Sequence, residues 1–495
     1  MAGGTGGFGT RLLDPRTWVR DKVLIAAFVV GVLLRAVPLA VFPQLECIRD
    51  ECIYRSIAMD LVDKVDCPED APPGSCVTAA TEMVDGEGMA TAKKGWLPSP
   101  GYPYLLAWCK LLFGSFQAVK VVQVILSSFT IPIVYGIGRE VGDRQVARIA
   151  AWLFAVNPTI AWFSNTMWIE TIYIFFLLAA VLFMLSAVRS SRWQPAVGSG
   201  LAMGVAVLFR GVATYLPPFW ILAALYPAEA PLSREAWVRS ARERWRTVAA
   251  FGVALVLLVA PYSLHASRIQ GGFMITDATM GHVLYLGNNE FPPLTFDYGN
   301  GMLTEPIFKR YLGMGRPPCN RTVPPVQSSN CEVRRAIQWA SHNPTRFAGR
   351  IPVRLAQMFN PNSFLTRHLR WGYWPGFPWW AKEAVCVWIV ATSAALTLLG
   401  TLGAWARARG PFAWMAVGTT VYTILTTAIM YGMTRFRLPL EALWTIYLAM
   451  FLASPAASFA ALREEPWRLS GLLLTLPPLV ALMLWYLPTG FPVFW

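Results

Sequence analysis

Apolar runs of about 18–22 residues recur along the chain, each enough to cross a hydrocarbon core of about 30 Å. They predict spanning helices over roughly 23–42, 118–138, 147–164, 168–187, 196–209, 212–228, 248–266, 384–404, 412–431, 438–454 and 470–488. The pattern is that of an all-α, polytopic transmembrane bundle of about eleven spans. Two long, more polar segments interrupt it, at 43–117 and 267–383. They divide the chain into an N-terminal membrane module (1–266), a large loop segment (267–383) and a C-terminal membrane module (384–495). The stretch PGYPYLLAWCKLLF at 100–113 is apolar but short, carries Lys110 and starts with prolines. It is expected to lie in the membrane interface rather than to cross. Helical stretches are expected near 332–358, over the second long segment.

Composition places the chain in the membrane class. Hydrophobic residues make up 55% and charged residues 14%, against about 25% charged in soluble domains. Charge then orients the bundle. With the N-terminus in the cytoplasm, the short loops holding Arg139/Arg144/Arg148, Arg189/Arg192, Arg234–Arg246, Arg407/Arg409 and Arg463/Arg468 all fall inside, as the positive-inside rule requires. Both long segments and the C-terminus then lie outside. The basic N-terminus followed by an apolar run resembles a signal peptide, but no small-residue cleavage site follows, so the run reads as a first span. The net charge of +14 comes with no basic, aromatic-laced stripe on a soluble domain, so it does not point to nucleic acid. The 22 tryptophans, many near segment ends, fit interfacial belts. Residues 43–99 carry eleven acidic and five basic residues, and 267–383 carry six and thirteen. Such opposite loops on one side suit mutual docking or a cleft for an anionic ligand.

Cys67 and Cys76 flank one Pro/Gly-rich stretch and Cys319 and Cys331 another, both in segments placed outside on charge grounds. Disulfides suit that compartment. Cys47 and Cys52 are a further pair, or exchange partners for Cys67 and Cys76. No CxxC suggests zinc, and no GxxxxGK[ST] loop suggests nucleotide hydrolysis. No internal repeat suggests paired transporter halves.

Several stretches carry more information in their order than singly. After the first run comes RDECIYRSIAMDL, then LPSPGYPYLLAWCKLLFG, then VYGIGREVGDRQVARIAAWLFAVNPTIAWFS, then MWIETIYIFFLLAAVLF. Later come VLYLGNNEF, HNPTRFAGRIPVRLAQMFNP and TRFRLPLEALW. This succession resembles the C-type superfamily of membrane glycosyltransferases, closest to the branch of protein O-mannosyltransferases and lipid A aminoarabinose transferases. The resemblance implies a polyprenyl-phosphate sugar donor and transfer to an extracytoplasmic acceptor. It places the presumed catalytic aspartate at Asp50, with Glu51 orienting its neighbours. The chemistry is coherent: an acceptor hydroxyl attacking an anomeric carbon needs a base, and a departing lipid phosphate needs cations rather than an acid. The bland alternative for Asp50 is a helix cap.

Glu170 is the second carboxylate of interest, at the outer end of a span where an ionisable group is costly unless paired or wet. For the phosphate, the candidates are Arg435 and Arg437 in TRFRLPLE, Arg210 in the turn VLFRGVATYLPP, and Lys94 beside Lys93. Arginine's planar donor fork suits phosphate. Arg437 also stands i, i+4 from Glu441, as a structural pair would. The family motif has a Pro-Pro where this chain has Ser99-Pro100, which weakens the lysine assignment. His282, Asn288, Asn289 and Tyr102 are candidates to line the cleft, a plain turn being the alternative for Gly-Asn-Asn. No clustered spacing calls for a metal. The sequence requires no cofactor, and a divalent metal stays open. The expected partners are the lipid-linked donor, the acceptor and membrane lipids, and the expected location is a bacterial plasma membrane. Two rival classes remain: a transporter or flippase of lipid-linked substrates, and a non-catalytic assembly subunit.

Overall fold

The computed structural model describes residues 20–42, 47, 50–66, 98–227, 233–290, 296–297, 301–302, 319, 324–370 and 372–485. Its helices are α1 (Lys22–Val41), α2 (Asp50–Asp66), α3 (Gly101–Phe113), α4 (Ala118–Val141), α5 (Arg144–Ala155), α6 (Pro158–Phe163), α7 (Glu170–Ser190), α8 (Gln194–Phe209), α9 (Pro217–Leu225) and α10 (Arg234–Ile269). They continue as α11 (Met280–Gly287), α12 (Pro325–His342), α13 (Pro344–Phe359), α14 (Phe364–Arg370), α15 (Trp379–Arg407), α16 (Gly410–Ile429), α17 (Leu438–Ala453), α18 (Pro455–Glu464) and α19 (Pro466–Leu484). Two 3₁₀ turns, Gly211–Tyr215 and Thr434–Arg437, lead into α9 and α17. One two-residue antiparallel pair, Phe296–Asp297 with Gly301–Met302, completes the secondary structure described. The fold is all-α and polytopic.

Every run expected to span is mostly helical over its described residues, but not every one is long. Eight helices are apolar and long enough to cross: α1, α4, α7, α10, α15, α16, α17 with its 3₁₀ lead-in, and α19. The run 196–209 forms the shorter α8, and 212–228 forms the 3₁₀ turn and α9. The run 147–164 is corrected to two helices, α5 and α6. Asn157-Pro158 is the cause. Proline at the first helical position cannot continue α5 but starts α6 well, and the Asn157 side chain accepts from the N–H groups of Thr159 and Ile160. In contrast, α10 is 36 residues long, about 54 Å at 1.5 Å per residue. Its charged first half therefore projects beyond the bilayer. Helix α3, with 13 residues, is too short to cross at that rise and packs on α2 through the Tyr54 and Tyr102 rings.

One hydrophobic core draws residues from Leu24 to Ala449, so both membrane modules share it. α7 is its axis, flanked by α4 and α8, while α17 packs between α5 and α15. At the interrupted span the backbone would be unsatisfied in lipid. Arg35 of α1, fully buried, closes it: Nη1 donates to Ala155 O at 2.9 Å and to Gly31 O, and Nε donates to Ser127 Oγ at 2.7 Å. Asn165 returns a bond to Arg35 O.

At the other end of α1, Asp21 caps the helix and receives hydrogen bonds from Arg144, Arg148 and Tyr135. Burial acts to raise its carboxyl, but these bonds, with that from Val23 N–H, outweigh it and hold the group well below the ordinary carboxylate range. A carboxyl lowered in the folded state stabilises fully above its unfolded value near 4 and loses that contribution as pH falls toward the folded value. Asp21→Asn should therefore lower the unfolding temperature at pH 7, and the gap to wild type should narrow below about pH 4. Thermal unfolding in detergent across pH reads both.

Candidate active site

At the N-terminal end of α7 lies a cavity of about 840 Å³. Ile53 and Tyr54 of α2 reach it from one side, and the stretch Trp168–Glu170 forms part of its wall. The turn at Arg210, the α11–α12 layer and the 3₁₀ turn with Arg435 complete it. The Trp168 wall is held by α4. Gln123 Nε2 donates to the carbonyls of Phe163, Ser164 and Thr166, and Tyr102 OH donates to Gln123 Oε1 at 2.9 Å. Tyr102 therefore supports the wall through Gln123, rather than lining the cleft as expected.

Three charges dominate the wall. Glu170 is 1% exposed and stands 3.5 Å from Arg210 Nη1. Neither Glu170 oxygen accepts a hydrogen bond among the described residues. The Arg210 guanidinium lies over the rings of Tyr173 (5.3 Å) and Phe436 (5.7 Å). Arg435 lies over Trp168 (4.8 Å) and near the rings of Phe364 and Phe436 (both 5.8 Å). Aromatic faces hold a guanidinium without consuming its donors. Both cations stand at the cavity wall, where a guanidinium suits an anion.

Asp50 opens α2. Its side chain falls outside the described residues, but it stands three and four positions before Ile53 and Tyr54, a spacing that shares a helix face. Glu51 is buried away from the cavity wall. Its Oε1 accepts from Met167 N–H (2.9 Å) and from Tyr373 OH (3.3 Å). The buried Lys120 donates to Tyr373 OH at 3.2 Å. Burial first, then the Glu51 charge and the bond to it, push the Tyr373 phenol well above its ordinary value, so it stays a donor. Glu51 therefore anchors α2 to the turn before α7 and to the segment after α14.

Other candidates are dispersed. Arg437 was a candidate for the phosphate or for a structural pair with Glu441, and it is buried in the second role. Its Nε donates to Glu441 at 2.8 Å, and Nη1 donates to Met358 O and Asn360 O. Asn288 and Asn289 also leave the cleft: Asn288 bonds Leu284 O, Ile429 O and Arg354, and Asn289 bonds Tyr285 O and Leu286 O, closing α11. The bland turn accounts for both. His282 does line the cavity, with Nδ1 3.8 Å from Glu332 Oε1. Cys319 and Cys331 are bonded, and so are Cys47 and Cys52, on either side of Asp50. Lys93, Lys94, Cys67 and Cys76 lie outside the described residues. Among the described residues no three His, Cys, Asp or Glu side chains gather as a metal site would.

Several wall-setting residues were not singled out from sequence. Ser99 donates to Asp277 Oδ2 (2.7 Å) and accepts from Gly211 N–H (2.8 Å). It thus joins the two long segments beside Arg210. A Cβ at position 211 would overlap Asp277 Oδ2, so the turn needs glycine. Lys120 had a signal: a lysine near the head of an apolar run is costly unless partnered. Tyr373 and Asp277 had none, since their roles exist only across distant segments.

Residues 98–265 match the family described as Dolichyl-phosphate-mannose-protein mannosyltransferase. This bears out the resemblance to C-type membrane glycosyltransferases drawn from motif order. No curated protein matches the chain. Among solved structures, the oligosaccharyltransferase of Archaeoglobus fulgidus is similar in several states. Its complex with zinc and sulfate is 15% identical, with 93% of this chain and 52% of that chain covered and a TM-score of 0.44. Its complex with an inhibitory peptide and a dolichol-phosphate is 15% identical, with 94% and 56% covered and a TM-score of 0.45. The chain thus spans about half the length of these structures.

The buried pair makes an asymmetric prediction. Arg210→Met leaves the Glu170 carboxylate buried alone and should cost about 3–5 kcal/mol. Glu170→Gln should cost far less, because the Arg210 guanidinium keeps its two rings. The double variant should recover most of the loss. Chemical unfolding in detergent measures all three.

Proposed function

We propose that the protein is a membrane glycosyltransferase that moves a sugar from a polyprenyl-phosphate donor to an extracytoplasmic acceptor, with Asp50 as general base. One observation carries this reading. A cavity at a bilayer face has Arg435 and Arg210 held on aromatic rings, and the helix that begins at Asp50 reaches its wall. The donor's phosphate would meet Arg435, and Arg210 would share the charge while paired with Glu170. The acceptor hydroxyl would attack the anomeric carbon and give its proton to Asp50. The phosphate would leave as an anion needing no acid. Glu51, Lys120 and Tyr373 would hold the Asp50 helix in place. The positive-inside count supports an extracytoplasmic position for this face.

The transporter reading expects charged or broken helices at depth that line a path. The break between α5 and α6 is instead sealed by Arg35, Asn157 and Glu441, with Asn157 Nδ2 3.4 Å from Glu441 Oε2. None of the three lines the cavity.

The test is transfer of radiolabel from a panel of polyprenyl-phosphate sugars to a membrane extract. Asp50→Asn should lower kcat by about 10²–10⁴-fold with little change in donor KM. Arg435→Ala should lower kcat/KM mainly through donor KM. Equal transfer by wild type and folded Asp50→Asn would remove Asp50 as the base.

A further inference from the structure

Two covalent ties border the cavity at the head of α7. Cys331, bonded to Cys319, stands between the wall residues Asn330 and Glu332. Cys47, bonded to Cys52, closes a ring across the start of α2, and Asp50 lies inside that ring.

The first N–H groups of a helix have no partner within it, and helix ends fray before their middles. Asp50 is the first residue of α2, so the helix itself holds it least. The body of α2 is fixed by side chains. Glu51 accepts from Met167 N–H and Tyr373 OH, and Tyr54 packs on Tyr102. Those contacts act from residue 51 onward. On the other side of Asp50 the tie is the sulfur bridge. Cys47 is half-buried against the cluster shared by α2 and α3, and Cys52, also half-buried, lies in the first turn of α2.

The ring is short. Its cysteines are five positions apart, and those of the other bond are twelve apart. A shorter loop removes less freedom from the unfolded chain, so global stability is the lesser part of what this bond supplies. What it restrains is the backbone of residues 48–51. Ile53 and Tyr54 share a helix face with Asp50, whereas Cys52 stands about 200° round the helix from it. Neither cysteine lines the cavity. The bridge braces the start of α2 without forming part of the cavity wall.

We infer that Cys47 and Cys52 are positioning residues for Asp50, and that transfer is conditional on the bond between them. The inference rests on the reading of Asp50 as the base. Opening the bond takes two electrons and two protons from a dithiol, which itself becomes a disulfide, and leaves two thiols. Asp50 is then still present, but on an untied helix end. A misplacement of about 1 Å can cost roughly a hundredfold in rate. Both cysteines are partly exposed, within reach of an attacking thiolate. A dithiol oxidoreductase is therefore the class of partner that sets the state of this bond.

The experiment treats the full chain in detergent with graded dithiothreitol, then alkylates the thiols and maps them by mass spectrometry. As Cys47–Cys52 opens, kcat should fall about tenfold or more while donor KM changes less than about twofold. Reoxidation should restore it. Cys47→Ser with Cys52→Ser should reproduce the low kcat without reductant, at an unfolding temperature close to that of wild type. In that variant the amides of residues 54–56, whose helical partners are the carbonyls of residues 50–52, should exchange hydrogen faster. Exchange does not depend on activity. It therefore separates failure of this inference from failure of the functional reading, which absence of transfer by oxidised wild type would show. A double variant with wild-type kcat would overturn the proposal, as would unchanged exchange at 54–56. Loss of kcat that tracks Cys319–Cys331 instead would also overturn it. So would mapping that joins Cys47 or Cys52 to Cys67 or Cys76 in the active protein.

Discussion

The last carbonyls of a helix have no partner within it, and a bilayer offers no water to supply one. Much of this structure follows from how that need is met. Arg35 takes the end of α5, and Arg354 takes the ends of both α16 and α11 through Ala428 O, Ile429 O and Gly287 O. Arg437 takes the carbonyls that close α13, Arg244 those that close α9, and Arg468 one near the end of α15. A guanidinium suits the task because its donors fan out in one plane and its charge meets the negative end of the helix dipole. These arginines let helices stop, break and turn within a membrane protein, and the cavity at the head of α7 exists because several do so there.

The same bookkeeping sorts the cations by chemistry. Arg354 and Arg437 are engaged by backbone oxygen, so their charge is structural. For Arg354, burial first and then the nearby Arg350 hold the guanidinium down at about 10, as expected where no carboxylate among the described residues pairs with it. Arg210 and Arg435 lie over ring faces at the cavity wall, Arg210 also beside Glu170. Position relative to a helix end, more than proximity to the outer surface, separates the two groups.

That distinction marks where the sequence was legible. Apolar runs disclosed the helical bundle, eight of its described helices long enough to cross; the brevity and proline content of 100–113 disclosed α3, and the cost of burying a carboxylate drew notice to Glu170. Asn157-Pro158 was visible yet read as part of a continuous span, because the run's hydrophobicity hid its cap. The i, i+4 spacing from Glu441 set Arg437 apart from Arg435 in the sequence, but its second task, meeting the end of α13, was not visible there. Asn288 and Asn289 were read partly for chemistry, and serve as the close of α11. The Lys120–Tyr373–Glu51 anchor joins positions more than three hundred residues apart at its extremes, from 51 to 373, and no local pattern encodes such a meeting.

Phe436 offers one face or edge to each of two guanidiniums, Arg210 and Arg435. The two cations are thereby parts of one mechanical unit, and their effects do not add as those of distant sites do. Replacing either arginine frees the ring to repack against the other, so each single variant reports some of its partner's contribution. A survey of lone substitutions would divide between two residues an energy that belongs to three. Only a cycle that includes Phe436 apportions it correctly.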